Sequence, residues 1–215
     1  LRPVIASLPQ RNQALEIGTG TGVLLERLLD LGFAQVIGIE PSKTAIDAAE
    51  PRIRPLIREG VFAEADFAPE SFDLICCFQT LEHVPAPRAL TESCLRLLRP
   101  GGALAFVTHD YTALINRVLG RRSPIIDIEH LHLFCRPSLD RLLMASGFSV
   151  GQIIGLSNRY PLRYWLRLSP LPGPLKRMTS RVVEALGLGG VRIGINLGNL
   201  LAVGHKPAAR PDEPP

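Results

Sequence analysis

Residues 14–22, Ala14-Leu15-Glu16-Ile17-Gly18-Thr19-Gly20-Thr21-Gly22, constrain this chain more than any other stretch. Apolar residues flanking one carboxylate run into glycines at alternate positions, Gly18, Gly20 and Gly22. Val23, Leu24, Leu25, Leu28, Leu29 and Leu31 then follow with the spacing of a buried helix face. A short strand, a tight glycine turn and a helix is how a doubly wound α/β sheet opens a ligand crevice. Ligands gather at the carboxyl ends of such strands, where backbone N–H groups and the helix N-terminus can bind them. Glycine suits the turn because it reaches positive φ at little cost and has no Cβ to hold a ligand away.

The spacing says more than the glycines do. A dinucleotide turn has the pattern G-x-G-x-x-G, and its third glycine would fall at Val23. The pattern here is instead Glu16-x-Gly18-x-Gly20-x-Gly22. It resembles the first motif of the class I S-adenosylmethionine-dependent methyltransferases. Three further stretches carry the same resemblance: Phe78-Gln79-Thr80-Leu81-Glu82-His83-Val84-Pro85, Leu98-Arg99-Pro100-Gly101-Gly102, and Glu129-His130-Leu131-His132-Leu133-Phe134. Together they cover residues 14–150 and resemble the small-molecule branch, the ubiquinone-biosynthesis-like methyltransferases. The resemblance implies a Rossmann-like α/β fold, a doubly wound, mostly parallel seven-stranded sheet with helices on both faces. It also implies S-adenosylmethionine as cofactor and a small molecule methylated on oxygen or carbon.

The rest of the chain alternates strand and helix signals. Strands are expected at Gln35–Glu40, 57–66, Phe72–Phe78, Ala103–Thr108, Phe148–Ile154 and Leu197–Gly204. Helices are expected from Lys43 to Glu50, capped by Ser42, from Pro87 until Pro100-Gly101-Gly102 stops it, and around Leu139, Leu142, Leu143 and Ser146. One domain over residues 1–206 follows, with a lid-like insertion at about 157–190 and a disordered proline-rich tail at 207–215. The start at Leu1, close to the first strand, is the expectation for a fragment or trimmed chain.

Composition excludes some classes. The apolar share of 46% and ordinary charge content describe a globular protein. No stretch reads as a leader or a bilayer span, so a cytoplasmic protein is expected. Cys76, Cys77, Cys94 and Cys135 lack C-x-x-C spacing, and the histidines lack H-x-x-H or H-E-x-x-H spacing, so no metal site is expected. Seven basic residues and no acidic one lie between Arg141 and Val183, while the remainder is slightly acidic. That distribution does not describe a nucleic-acid-binding surface.

Glu40 lies 20 residues after Gly20, at the end of the second strand, where a carboxylate can accept from both hydroxyls of a ribose. Pro41 borders the same crevice. By the resemblance, Asp66 accepts from the adenine amine, with Glu64 its competitor if the strand register slips, the Phe67 N–H reaches the ring, and Phe78 lines the methionine end. His83, His130 and His132 are the candidate general bases, since an imidazole titrates near neutrality and an alcohol or phenol acceptor must lose a proton. Arg159, Arg163 and Arg167, spaced i, i+4, i+8 among aromatic residues, are candidates for an acidic or amphiphilic acceptor. Peripheral contact with an acidic membrane surface is the competing reading of that stretch. An NAD-dependent oxidoreductase and a non-catalytic nucleotide-binding partner protein are the alternatives. Val23 argues against the first, and the intact Glu16, Glu40 and glycine turn against the second. Nothing in the sequence fixes an oligomeric state.

Overall fold

The computed structural model describes residues 1–208 apart from 124, 127 and 170. The tail expected to be disordered falls outside those residues from position 209 on. In chain order the elements are α1 (Arg2–Ala6), β1 (Gln13–Ile17), α2 (Val23–Asp30), β2 (Gln35–Glu40), α3 (Lys43–Asp47), β3 (Ile57–Glu59), β4 (Phe72–Phe78), α4 (Pro87–Leu97) and β5 (Leu98–His109). They continue with α5 (Leu114–Leu119), α6 (Arg136–Ala145), β6 (Ser149–Pro161), α7 (Leu162–Leu168), α8 (Gly173–Ala185) and β7 (Arg192–His205).

The strands form one seven-stranded sheet in the order β3-β2-β1-β4-β5-β7-β6. β1 to β5 pair in parallel, and β7 runs antiparallel to both β5 and β6. Alternation along each strand divides the core in two, because successive side chains point to opposite faces. Leu15, Ile75 and Leu104 join Leu97, Leu139 and Leu143 of α4 and α6 on one face. Ala14, Leu74 and Ala103 join Val4, Leu25, Leu28 and Ile46 of α1, α2 and α3 on the other. Leu25 and Leu28 are the buried stripe of α2, whereas Val23 and Leu29 face outward. Fully burying each such leucine or isoleucine contributes about 1.5–3 kcal/mol, so both faces of the sheet must stay covered. At the base of the sheet, buried Asp73 accepts from the N–H groups of Asn12 and Gln13 at 2.7 and 2.9 Å and from Arg99 at 3.0 Å.

Several expected boundaries move. The third strand ends at Glu59 instead of 66. Gly60, at φ 144°, turns the chain away, and Glu64–Asp66 forms a 3-10 turn. α3 stops at Asp47, three residues before Glu50. β5 begins directly after α4, with Arg99–Gly102 bulged out between the pairs Phe72↔Leu98 and Leu74↔Ala103. The short helix α5 has no counterpart in the expectations. β6 and β7 are much longer than expected, for a reason visible in their register. His109, the last residue of β5, pairs with Asn199. The part of β7 before Asn199 therefore projects past the carboxyl edge of the parallel strands, paired only with β6 down to Pro161↔Arg192. α7 and α8 sit at the far end of this ribbon, joined to it by the indole of Trp165, whose N–H donates to the Ile193 carbonyl at 2.9 Å.

Candidate active site

The sheet order reverses at β1: β2 lies on one side of it and β4 on the other. A crevice opens at such a switch point, beyond the carboxyl ends of the strands. The glycine turn lies there. Gly18 and Thr19 donate to the Ile39 carbonyl at 2.9 and 3.1 Å, which ties the turn to β2. Gly18 has φ 75°, and a Cβ on it would stand 2.1 Å from Thr80 Oγ1, so this position closes against the segment after β4. Gly20 differs: at φ 56°, a Cβ there would meet nothing within 4 Å. Gly22, at φ 76°, caps the N-terminus of α2.

Glu40 is buried, with Oε2 accepting from Gly20 N–H at 2.8 Å and Oε1 from Ser42 N–H at 2.8 Å. A carboxylate offers about four acceptor sites, so both oxygens keep a lone pair for a further donor. Glu16, one strand over, is 4% exposed and accepts from the Thr19 hydroxyl. Burial, with Glu40 adding to it, pushes the Glu16 carboxyl up to about 8.

Beside this turn lies a largely apolar cleft of about 710 Å³. Gly18, Pro41 and His83, all expected at the site, line it, together with Phe62, Glu64, Thr80, Val84 and Pro85. Asp66, Phe67 and Phe78 do not line it. Asp66 is exposed on the 3-10 turn. Phe67 stacks on Phe62 with centroids 6.3 Å apart and meets Phe72 edge-on at 5.3 Å, so it backs the wall. Phe78 packs toward the opposite core face, although its carbonyl accepts from Thr80 Oγ1 at 3.0 Å. Glu64 reaches the cleft, but Arg96 binds both of its oxygens at 2.6 Å and holds its carboxyl down to about 2. Phe62, with Gly60 and Val61 beside it, is among the lining residues that sequence reasoning overlooked. The aromatic shortly after a strand-ending glycine was the available signal for Phe62.

The histidines converge. His83 Nδ1–H donates to the Glu129 carbonyl at 2.8 Å, and its ring lies 4.8 Å from that of His130. His130 Nδ1–H donates to Ile125 O at 2.9 Å, and His109 meets its ring edge-on at 5.5 Å. His109 Nδ1–H donates to Asn199 Oδ1 at 2.9 Å, linking β5 to β7. His132 points elsewhere, with Nε2–H on the Pro85 carbonyl at 3.3 Å. Next to His109 and His130 lies Glu82, buried after β4. No spacing rule brings Glu82, His109 and His130 together, because they lie in separate segments of the chain.

The basic stretch does not form one helical face. Arg159 is on β6, while Arg163 and Arg167 are on α7, since Pro161 separates strand from helix. All three are exposed, and none lines the large cleft. Tyr160, Tyr164 and Trp165 cluster beside them, with centroids 4.6 to 6.1 Å apart. Among the described residues no helix is long and apolar enough to cross a membrane.

A glycine turn at a switch point, a carboxylate at the end of β2 and a β7 inserted antiparallel define a methyltransferase domain. Residues 2–153 match the family described as "Methyltransferase domain", and the chain belongs to that family. It is 38% identical over 102 residues to a ubiquinone biosynthesis O-methyltransferase of Burkholderia vietnamiensis, covering 45% of this chain and 44% of that protein. It is 35% identical over 104 residues to the Vibrio cholerae protein of the same name, covering 45% and 41%. The matched stretch thus spans less than half the length of these relatives. Among solved structures, an S-adenosylmethionine-dependent methyltransferase of Archaeoglobus fulgidus aligns with TM-score 0.65 at 17% identity, covering 96% of this chain and 91% of the other. One from Methanosarcina mazei aligns with TM-score 0.61 at 20% identity, covering 97% and 99%. At these identities the structural likeness speaks for the fold.

Proposed function

We propose that this chain transfers a methyl group from S-adenosylmethionine to an oxygen of a small-molecule acceptor. The observation that carries the reading is the pairing of an open Gly20 with Glu40, next in the chain to Pro41, which lines the cleft; Gly20 and Glu40 themselves are not among the lining residues. A nucleoside fits that pairing: the turn lets it approach the backbone, and Glu40 keeps a lone pair on each oxygen for the ribose hydroxyls. Phe62 offers a ring face for the adenine. Asp66, two residues past Glu64, is the candidate carboxylate for the exocyclic amine, with the Phe67 N–H beside it. The cofactor, when bound, supplies a methyl already activated at a sulfonium centre, so the protein's tasks are alignment, exclusion of water and removal of one proton.

Those tasks divide among this chain's residues. The apolar walls around Val84 and Pro85 exclude water from the cleft. His83 lines the cleft, and because its Nδ1–H is held by Glu129 O, the neutral ring carries its lone pair on Nε2. That atom is our candidate to take the acceptor's hydroxyl proton. His130 supports His83 by ring contact. His132 braces the loop through Pro85. The names of the matched relatives favour oxygen over carbon as the accepting atom.

We assign residues 157–190 the role of a cover over the acceptor end. Support comes from the register of β7, which carries this segment past the carboxyl edge of the sheet, where the cleft opens. Arg159, Arg163 and Arg167 would then meet an acidic or amphiphilic acceptor.

Calorimetry with S-adenosylhomocysteine tests the cofactor reading. Binding in the micromolar range, about −8 kcal/mol, is expected, with Glu40→Ala weakening it by roughly 1.5–3 kcal/mol through loss of charge-assisted hydrogen bonds. Tighter binding of NAD than of S-adenosylhomocysteine would sink the reading.

A further inference from the structure

A second pocket, of about 280 Å³, lies where the β6–β7 ribbon meets α5 and the start of α6. No residue lines both it and the large cleft, so this pocket does not depend on the cofactor reading. Local backbone geometry shapes it. Between the pairs Leu156↔Asn199 and Asn158↔Ile195, residues 196–198 of β7 lie opposite Ser157 alone. A bulge of this kind bends a strand and re-aims a side chain. Here Asn196 Oδ1 turns back to accept from Gly198 N–H at 2.8 Å, which fixes the amide and leaves its NH2 group without an acceptor. Asn199, also in the lining, gives its Oδ1 to His109 and keeps its NH2 group unspent. Gly155 of β6 opens the floor between two of the donors. A Cβ on it would stand 2.7 Å from Asn196 Nδ2 and 3.6 Å from Arg136 Nη2, so a methyl would fill the space that they flank.

Two opposite charges line this pocket without pairing. Arg136, the first residue of α6, donates to the Ile153 carbonyl and has no acidic partner among the described residues. Asp110 accepts at Oδ1 from the Thr112 N–H and hydroxyl at 2.9 and 2.6 Å, and its Oδ2 meets no donor among the described residues. We propose that the pocket binds a free apolar α-amino acid. Its carboxylate takes the N–H groups of Arg136 and Asn196 above Gly155, since a guanidinium matches the two oxygens of a carboxylate. Its ammonium takes Asp110 Oδ2, and its side chain lies against Leu114 and Leu200. A zwitterion answers both charges at once, whereas a simple anion or cation leaves one of them uncompensated. The bound molecule would tie Gly155 and Asn196 of the ribbon to Asp110 at the end of the parallel sheet.

L-leucine and L-valine serve as the probes, titrated calorimetrically into the full chain with and without saturating S-adenosylhomocysteine. One molecule per chain should bind, equally well in both conditions, and should raise the melting temperature. For leucine, 4-methylpentanoate lacks the ammonium and 3-methylbutylamine lacks the carboxylate; each should bind more than about tenfold more weakly. Arg136→Gln and Asp110→Asn should each weaken leucine binding by a similar factor, while Arg141→Gln, farther along α6 and outside the pocket, leaves it unchanged. Gly155→Ala should also abolish binding. Gly155 does not sit at a positive φ, so alanine suits its backbone and only the Asn196 amide must shift. Arg136 and Gly155 lie on different elements, so a folding failure in one variant leaves the other to decide. Absence of saturable binding by both amino acids, binding that survives both Arg136→Gln and Gly155→Ala, or analogues that bind as tightly as leucine would overturn the proposal. Loss of binding in the presence of S-adenosylhomocysteine would also overturn it, by placing the amino acid in the large cleft.

Discussion

Glu16→Gln is the sharpest perturbation of the glycine turn's surroundings. In the folded protein burial holds the Glu16 carboxyl at about 8 against an ordinary 4.5, with Glu40 adding to the rise and the Thr19 hydroxyl opposing it. Between those two values the folded chain keeps a proton that the unfolded chain has lost. Stability is therefore fully present below pH 4.5 and falls as pH rises, by about 1.4 kcal/mol for each pH unit. The loss is complete near pH 8 and sums to about 5 kcal/mol, a large share of a typical domain's 5–15 kcal/mol. Glutamine keeps the shape and cannot ionise, so Glu16→Gln should match the wild type near pH 4.5 and exceed it increasingly toward pH 8. Urea unfolding at stepped pH, followed by far-UV circular dichroism, measures the difference between the two proteins. The Glu64–Arg96 pair does not confuse the result, because Glu64 is held near 2 and its contribution is lost only as pH falls below the ordinary carboxylate range. Parallel profiles for the two proteins from pH 5 to 8 would refute the reasoning.

Gly18→Ala and Gly20→Ala should part company. The first drives a Cβ into Thr80 and should cost both stability and S-adenosylhomocysteine affinity. The second should cost only about 1 kcal/mol of stability, from its positive φ, yet lose affinity, because only a ligand would meet the new methyl; melting curves and calorimetry separate the two. Replacing Arg159, Arg163 and Arg167 together by glutamine should raise the acceptor's KM and leave S-adenosylhomocysteine affinity intact. Flotation of the wild type, and not the triple variant, with acidic vesicles would instead make this stretch a membrane contact.

The parts of this molecule that local chemistry dictates were readable in the sequence. The glycine turn, the buried run of β4 and the spacing from Gly20 to Glu40 each arise within one or two neighbouring elements, so short-range pattern suffices. Asp66 shows where that logic ends. Counting forward from β2 assumes that strand three continues, but Gly60 diverts the chain and Asp66 comes to lie on a 3-10 turn instead of at a strand end. The i, i+4, i+8 arginines failed as a single face for a similar reason, since Pro161 converts strand to helix between the first and the second. The ribbon of β6 and β7 beyond Asn199 pairs only with itself; Ile193, Ile195 and Leu197 alternate along its β7 half, but Ser157-Asn158-Arg159 on the β6 half carries no matching apolar alternation. The grouping of Glu82, His109 and His130 depends on three loops meeting at one edge, and no spacing rule within a single stretch encodes it.

The register between β5 and β7 has a consequence for how such an enzyme can diversify. Pairing runs without a shift from Ala103↔His205 to His109↔Asn199. Just past that point Gly198 holds the ribbon to the domain body: its carbonyl accepts from the Asp110 N–H, and a Cβ on it would run into Ala113 and Asn116. A chain in which everything between Leu156 and Asn199 is exchanged for another hairpin would keep both cores, the glycine turn and the His109–Asn199 bond. The segment is joined to the sheet as an interchangeable head on a fixed handle: if it covers the acceptor as proposed, its length and composition can change without renegotiating the packing of the two cores.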